Sequence, residues 1–197
     1  MRENGWCKIL REMGKGFDSI DANLRSFIAA QRMFFVATAP SVGGHVNLSP
    51  KGLDTFRILD GQTVAYLDYV GSGAETIAHL RENGRIVIMM CAFDGPPKIV
   101  RLHGRGEAIE PGDAEYASLL PLFPSSLPGR SIIKVALERI SDSCGFGVPL
   151  YEFRNERDHL GAWTERKGKN GLIEYQEKNN RTSLDGLPGL RWTQQDP

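Results

Sequence analysis

The chain has 197 residues, with 24 Lys+Arg against 24 Asp+Glu and a formal net charge of zero. At about 150 residues per domain this is one domain with appendages, long enough to bury a core without disulfide or metal staples. Its 41% hydrophobic and 24% charged residues match a soluble globular protein, and the balanced charge argues against a general nucleic-acid binder or a polybasic membrane anchor. The 22 Gly and 11 Pro point to many turns and a β-rich fold.

Residues 18–31 read as a helix, because Ile20, Leu24, Phe27 and Ile28 share one face at a 3.6-residue period and Asp18 precedes them as an N-cap. The period then shortens. Met33–Ala39 is apolar and β-prone, Ser41–Gly44 is a turn, and His45–Leu48 restarts a strand. Thr55–Leu59 and Thr63–Leu67 form a further hairpin around Asp60-Gly61. A short helix follows at 74–82, with Ser72 and Glu75 as a capping box and Asn83-Gly84 as its stop. Arg85–Ala92 and Lys98–Ile109 are strands, the second interrupted by Gly104 and Gly106 in the manner of a bulge. Asp113–Leu120 reads as a short helix, Pro121–Gly129 as a loop, and Ser131–Ile140 as the last strand.

Strands joined by short turns, with one helix among them, are the pattern of a closed or partly open antiparallel barrel rather than of a nucleotide-binding α/β sheet. From Gly145 to Pro149 the composition changes, and residues 154–181 become dense in charge. The expected organisation is a barrel domain at 1–150 and a helical extension at 151–197, packed on the barrel and broken near Gly168–Gly171.

Three widely spaced cysteines, Cys7, Cys91 and Cys144, form no CxxC pair. They give no support to a zinc site and suit a reducing compartment. Met1–Lys8 has no apolar stretch of the kind a signal peptide carries, and no apolar run is long enough to cross a bilayer, so a cytoplasmic protein is expected. GxSxG, HExxH and Walker A patterns are absent. His79 lies beside apolar residues of the short helix and reads as a structural or site-lining histidine. Cys144 reads as a buried thiol or as a residue on the substrate side of a site.

Two segments carry candidate chemistry. In Asn47-Leu48-Ser49-Pro50-Lys51-Gly52, a hydroxyl, a cation and backbone N–H groups follow a strand, which is either a phosphate cradle or an exposed turn with a solvated lysine. In Tyr66-Leu67-Asp68-Tyr69-Val70-Gly71-Ser72-Gly73-Ala74-Glu75-Thr76, a strand ending in aromatics runs through a Gly/Ser turn into a helix N-terminus. That is either an anion site with tyrosines flanking a flat ring, or a capped helix with core tyrosines.

In their order along Ala29–Pro149, "AQRMFFVATA", "HVNLSPKGLDTFRILDG", "VAYLDYVGSGAETIAHLRENGRIVIMMCAFDGPP", "VRLHGRGEAI" and "DSCGFGVP" resemble the pyridoxamine 5′-phosphate oxidase-like family of FMN-binding split barrels. The resemblance implies a mainly β, six-stranded antiparallel Greek-key split barrel with flanking helices. It also implies a homodimer with FMN held between subunits, acting on a small molecule. Carried over residue by residue, it assigns Ser49, Pro50 and Lys51 to the FMN phosphate and the adjoining flavin, and Arg57 to the phosphate. Tyr66, Asp68 and Tyr69 fall beside the ring and ribityl chain, Ser72 and Thr76 at the helix N-terminus, and Arg101 on the far side of the site. The fold is expected to gather Lys51, Arg57 and Arg101 into one positive pocket.

The chain departs from true pyridoxamine 5′-phosphate oxidases at two places. Gly71-Ser72-Gly73 stands where they carry a Ser-Arg-Lys stretch, and Gly189–Pro197 stands where they end in Arg-Leu-x-Pro. Vitamin B6 oxidation is therefore not implied. What is implied is an FMN-dependent oxidoreductase. The alternatives are a non-catalytic flavin binder, a barrel holding the deazaflavin F420 or haem, and a cofactor-free interaction module.

Overall fold

The computed structural model describes residues 14–124 and 126–191; Cys7, the Met1–Lys8 start and the chain end from Trp192 lie outside the described residues. Its strands are β1 (Gly16–Phe17), β2 (Phe34–Thr38), β3 (Asn47–Lys51), β4 (Phe56–Ile58), β5 (Thr63–Tyr69), β6 (Arg85–Cys91), β7 (Ile99–Ile109) and β8 (Gly129–Ser143). Its helices are α1 (Ala22–Ala30), α2 (Glu75–Asn83), α3 (Ala114–Leu119), a 3₁₀ turn at Leu120–Leu122, and α4 (His159–Asn179). The strands form one antiparallel sheet in the order β3-β2-β6-β7-β8-β5-β4, with β1 added to β8, curled into a half-barrel with flanking helices. The six strands of five residues or more are those the fold class requires, and β1 and β4 add short edges.

Alternation sets the inside of the barrel. Phe34, Val36, Ile88, Val100, Leu102, Ile133, Val135 and Ile140 fill one core together with Leu24 and Ile28 of α1 and Ile77 of α2. Full burial of one such side chain contributes roughly 1.5–3 kcal/mol. β5 is buried on both faces. Val64 and Tyr66 point into the barrel, whereas Ala65 and Leu67 pack in a second cluster against Tyr116, Leu119 and Phe123. Gly104 sits where the β7–β8 register shifts, and a Cβ there would lie 2.1 Å from the Ala136 carbonyl oxygen, so the bulge expected from the glycine is present and needs it.

Several boundaries differ from the sequence expectations. α1 starts after Asp21, whose carboxylate accepts a bond from the Leu24 N–H at 2.8 Å, because Ile20 is drawn into the core and donates its N–H to the Gly61 carbonyl. α2 has no capping box. Ala74 is its N-cap without a side-chain bond, and the Glu75 carboxylate instead accepts from the distant Leu184 N–H. The Ser-Pro-Lys segment is not a turn but edge strand β3, where a proline without an N–H is tolerated. The turn comes later, at Leu53 and Asp54, both with positive φ.

The C-terminal segment returns to the barrel. α4 is broken at Gly168 (φ 62°, ψ 176°), within the interval the glycines marked. Asn180 is fully buried and Leu190 joins the main core. Arg191 donates its N–H to the buried Glu110, which also holds Arg81. Among the described residues no helix is long and apolar enough to cross a membrane.

Candidate functional site

Three charged groups meet at the open side of the barrel. Asp68, near the end of β5, has a fully buried side chain. Its Oδ1 accepts from Lys51 Nζ of the edge strand β3 at 2.7 Å, and its Oδ2 accepts from Arg130 Nε at 2.8 Å. The β5–β8 register explains Arg130. Asp68 faces Ser131 and Tyr69 faces Gly129, leaving Arg130 as an extra residue at a bulge that turns its side chain toward Asp68. Burial would raise the Asp68 carboxyl, but Arg130 and Lys51 outweigh it and hold it at about 2. The triad therefore carries one surplus positive charge. Lys51 has three N–H donors, one of them on Asp68, and its side chain keeps 22% of its exposure.

A chain of neutral polar groups runs beside the triad. Asn47 Nδ2 donates to the hydroxyls of Thr38 (3.0 Å) and Thr76 (2.9 Å), and Ser49 donates to Asn47 Oδ1 at 2.9 Å. Thr38 meets His79 Nδ1 at 3.0 Å. Burial pushes His79 below its ordinary value despite the acidic residues around it, which favours its neutral form. Among the described residues its buried Nε2 has no hydrogen-bond partner, while the buried Tyr66 hydroxyl has Thr76 beside it. Lys51 Nζ lies 5.9 Å from the Tyr66 ring centroid, and burial raises that phenol well above its ordinary range.

Of the residues singled out by sequence, the fold thus brings together Ser49, Lys51, Tyr66, Asp68 and Thr76. Pro50 is exposed on β3 between the first two, and Ser72 is exposed before α2. The expected gathering of Lys51, Arg57 and Arg101 does not occur within one copy. Arg57 pairs across to Ala65, on the other face of the sheet, and binds Asp54, the Leu122 carbonyl and the Phe123 ring, near Tyr69. Arg101 pairs with Met89 and Ser141, facing away from its core neighbours Val100 and Leu102, and donates to the Ser143 hydroxyl at 2.8 Å. Strand alternation puts both arginines outside. Cys144 is exposed, not buried, whereas Cys91 is buried.

Sequence reasoning missed Arg130, Thr38 and Asn47 as site residues. Asn47 alone had a local signal, since it opens the Ser-Pro-Lys segment. Nothing local marks Arg130, because its role exists only through the bulge. Arg130 Nη1 also donates to the Gly71 carbonyl, as does Asn180 Nδ2, so the glycine turn before α2 is clamped from both β8 and the C-terminal segment.

A cationic surplus with amide and hydroxyl donors on one strand edge suits an anionic ligand. The profile of the family described as pyridoxamine 5′-phosphate oxidase matches residues 20–144, the span that holds these site residues. A pyridoxamine 5′-phosphate oxidase family protein, ustO, of Aspergillus flavus is 43% identical over 91% of this chain and 79% of its own. The chain belongs to this family. Among solved structures, a putative pyridoxamine 5′-phosphate oxidase from Lactobacillus delbrueckii superposes with a TM-score of 0.50 at 15% identity, covering 64% of this chain and 98% of its own. HupZ of Group A Streptococcus gives 0.48 at 22% identity, over 61% and 91%.

Members of a family named for an oxidase invite a test of whether the residues here suit a flavin phosphate. They do: Lys51 has donors to spare, Ser49 lies beside it on the same face of β3, and the buried His79 Nε2, without a partner among the described residues, marks polar capacity left unsatisfied.

Proposed function

We propose that the protein is an FMN-binding oxidoreductase acting on a small molecule, working as a homodimer with the flavin between subunits. One observation carries this reading: the family match spans every residue of the Lys51–Asp68–Arg130 triad and of the polar chain beside it. Lys51 and Ser49 hold the phosphate, with Pro50 keeping the outer edge of β3 open and Ser72 and Thr76 bordering the site at α2. Asp68 has both oxygens engaged by cations, so it positions Lys51 instead of meeting the phosphate. Tyr66 lines the inner side. Arg57, Tyr69 and Arg101 lie on outer faces, and in this reading they reach a flavin held against a second copy.

When bound, a flavin supplies the electron chemistry, and the protein supplies binding, orientation and electrostatics. This agrees with a site that has cations and neutral donors but no Ser–His or Cys–His pair among its described residues.

The test is the absorbance spectrum of the purified native protein, with reduction by NADH and NADPH and mass spectrometry of the extracted ligand. A flavin spectrum bleached by a nicotinamide donor and an FMN mass are expected. A colourless protein unchanged by added FMN overturns the reading. F420 or haem in the extract replaces the cofactor, and FMN without turnover reduces the function to flavin binding.

A further inference from the structure

A cavity of about 390 Å³ lies between the barrel and α4. Its floor is Val70, Gly129 and Arg130, its side Pro111 and Pro128, and its roof the kinked helix, through Leu172, Ile173 and Lys169. The size and the mostly apolar walls are those of small-molecule pockets, which fix their ligands with a few placed polar groups. Among the described residues that line it the charged groups are both cations, Arg130 and Lys169, with no carboxylate beside them.

Arg130 is built into place. Its side chain is 5% exposed, fixed through Nε to Asp68 and through Nη1 to the Gly71 carbonyl. The Lys51–Asp68–Arg130 triad has one positive charge in excess, and Arg130 brings its share of that excess to the cavity floor. The roof is equally specific. At Gly168 a φ of 62° interrupts the helix and bends it over the cavity, although none of the described residues lies within 4 Å of where a Cβ would stand. The glycine thus serves the backbone direction and not a close approach.

We propose that this cavity binds a small carboxylate with an apolar body, its head on Arg130 and Lys169 and its body against Val70, Pro111, Leu172 and Ile173. Size, wall chemistry and one-signed charge select that class over neutral apolar molecules and over polyanions, whose extra charges have no partners on the apolar walls. The site is separate from the flavin reading and does not depend on it, although Arg130 gives the two a shared wall.

The experiment is calorimetric titration of the full chain with 3-phenylpropionate and hexanoate, against the neutral 3-phenylpropanol and hexanol and against inorganic phosphate. Flavin content is measured on the same samples by absorbance, so loss of flavin and loss of carboxylate binding are read separately. The carboxylates are expected to bind at least tenfold more tightly than the alcohols, with no phosphate binding at this site. Lys169→Glu, at an exposed position that leaves folding intact, is expected to weaken them at least tenfold, and Ile173→Trp, which fills the cavity from the roof, to abolish them. Equal binding of acids and alcohols, no binding at all, or carboxylate binding that survives Lys169→Glu overturns the proposal.

Discussion

The inner face of β3 and the outer faces of β4 and β7 carry the same kind of residue and use it differently. Lys51, with Arg130 opposite, closes on a carboxylate that has no contact with water. Arg57 closes on Asp54, which is 74% exposed, and Arg101 on a serine hydroxyl. The difference is the medium between the charges. Inside, little water screens the charges, so removing the shared carboxylate strands both cations. Outside, water replaces whichever partner is lost.

The strongest way to break this comparison is Asp68→Ala. It leaves two cations facing a buried void, and a loss of about 3–5 kcal/mol in a denaturant melt is expected. A loss below about 1 kcal/mol would mean that the inner triad is no different from the outer pairs. Next is Lys51→Ala, which leaves Asp68 paired with Arg130 and removes the cation assigned to the phosphate. FMN affinity measured by fluorescence quenching should fall by about 1.5–3 kcal/mol, and an unchanged affinity removes Lys51 from that role.

Acid sharpens the same contrast. The Asp68 carboxyl is held at about 2 in the fold against an ordinary 3.8, so the unfolded chain takes up the proton first. The stabilisation is complete above about pH 5 and is lost as pH falls through 4 toward 2, amounting to about 2 kcal/mol. Melts across that range should show this acid limb in the native chain and a flatter one in Asp68→Asn. The smallest effect belongs to Asp54→Asn, which removes the charge at the exposed end of the Arg57 pair and leaves Arg57 in place. Such a pair contributes at most about 1 kcal/mol, and its melt should stay within that, with a smaller change in FMN affinity than Lys51→Ala.

Much of the fold was legible along the chain because local chemistry specifies it. Asp60-Gly61 turns the β4–β5 hairpin, with Leu59 and Asp60 both donating to the Thr63 carbonyl. Gly84 ends α2 in the left-handed conformation, and Gly104 marks the bulge in β7. Where local reasoning failed, a distant partner had intervened. Ser72 does not cap α2, because Glu75 is taken by Leu184, about a hundred residues away. The Ser-Pro-Lys segment resembles a turn, but it pairs with β2 as an edge strand, an outcome set by the Phe34–Lys51 register and not by its own propensities.

The sequence by itself determined the class: strand and turn periods for a barrel, an order of motifs for the family, and Ser49, Lys51 and Asp68 as residues worth joining. Only the tertiary structure decided which of them meet. Side chains on a strand alternate between two faces, so one residue of register sends Lys51 inward while Arg57 and Arg101 are left outside. A bulge supplied Arg130, which no spacing rule along the chain could have placed beside Asp68. Two cations on one buried carboxylate is a property of three strands at once, and no single stretch of sequence contains it.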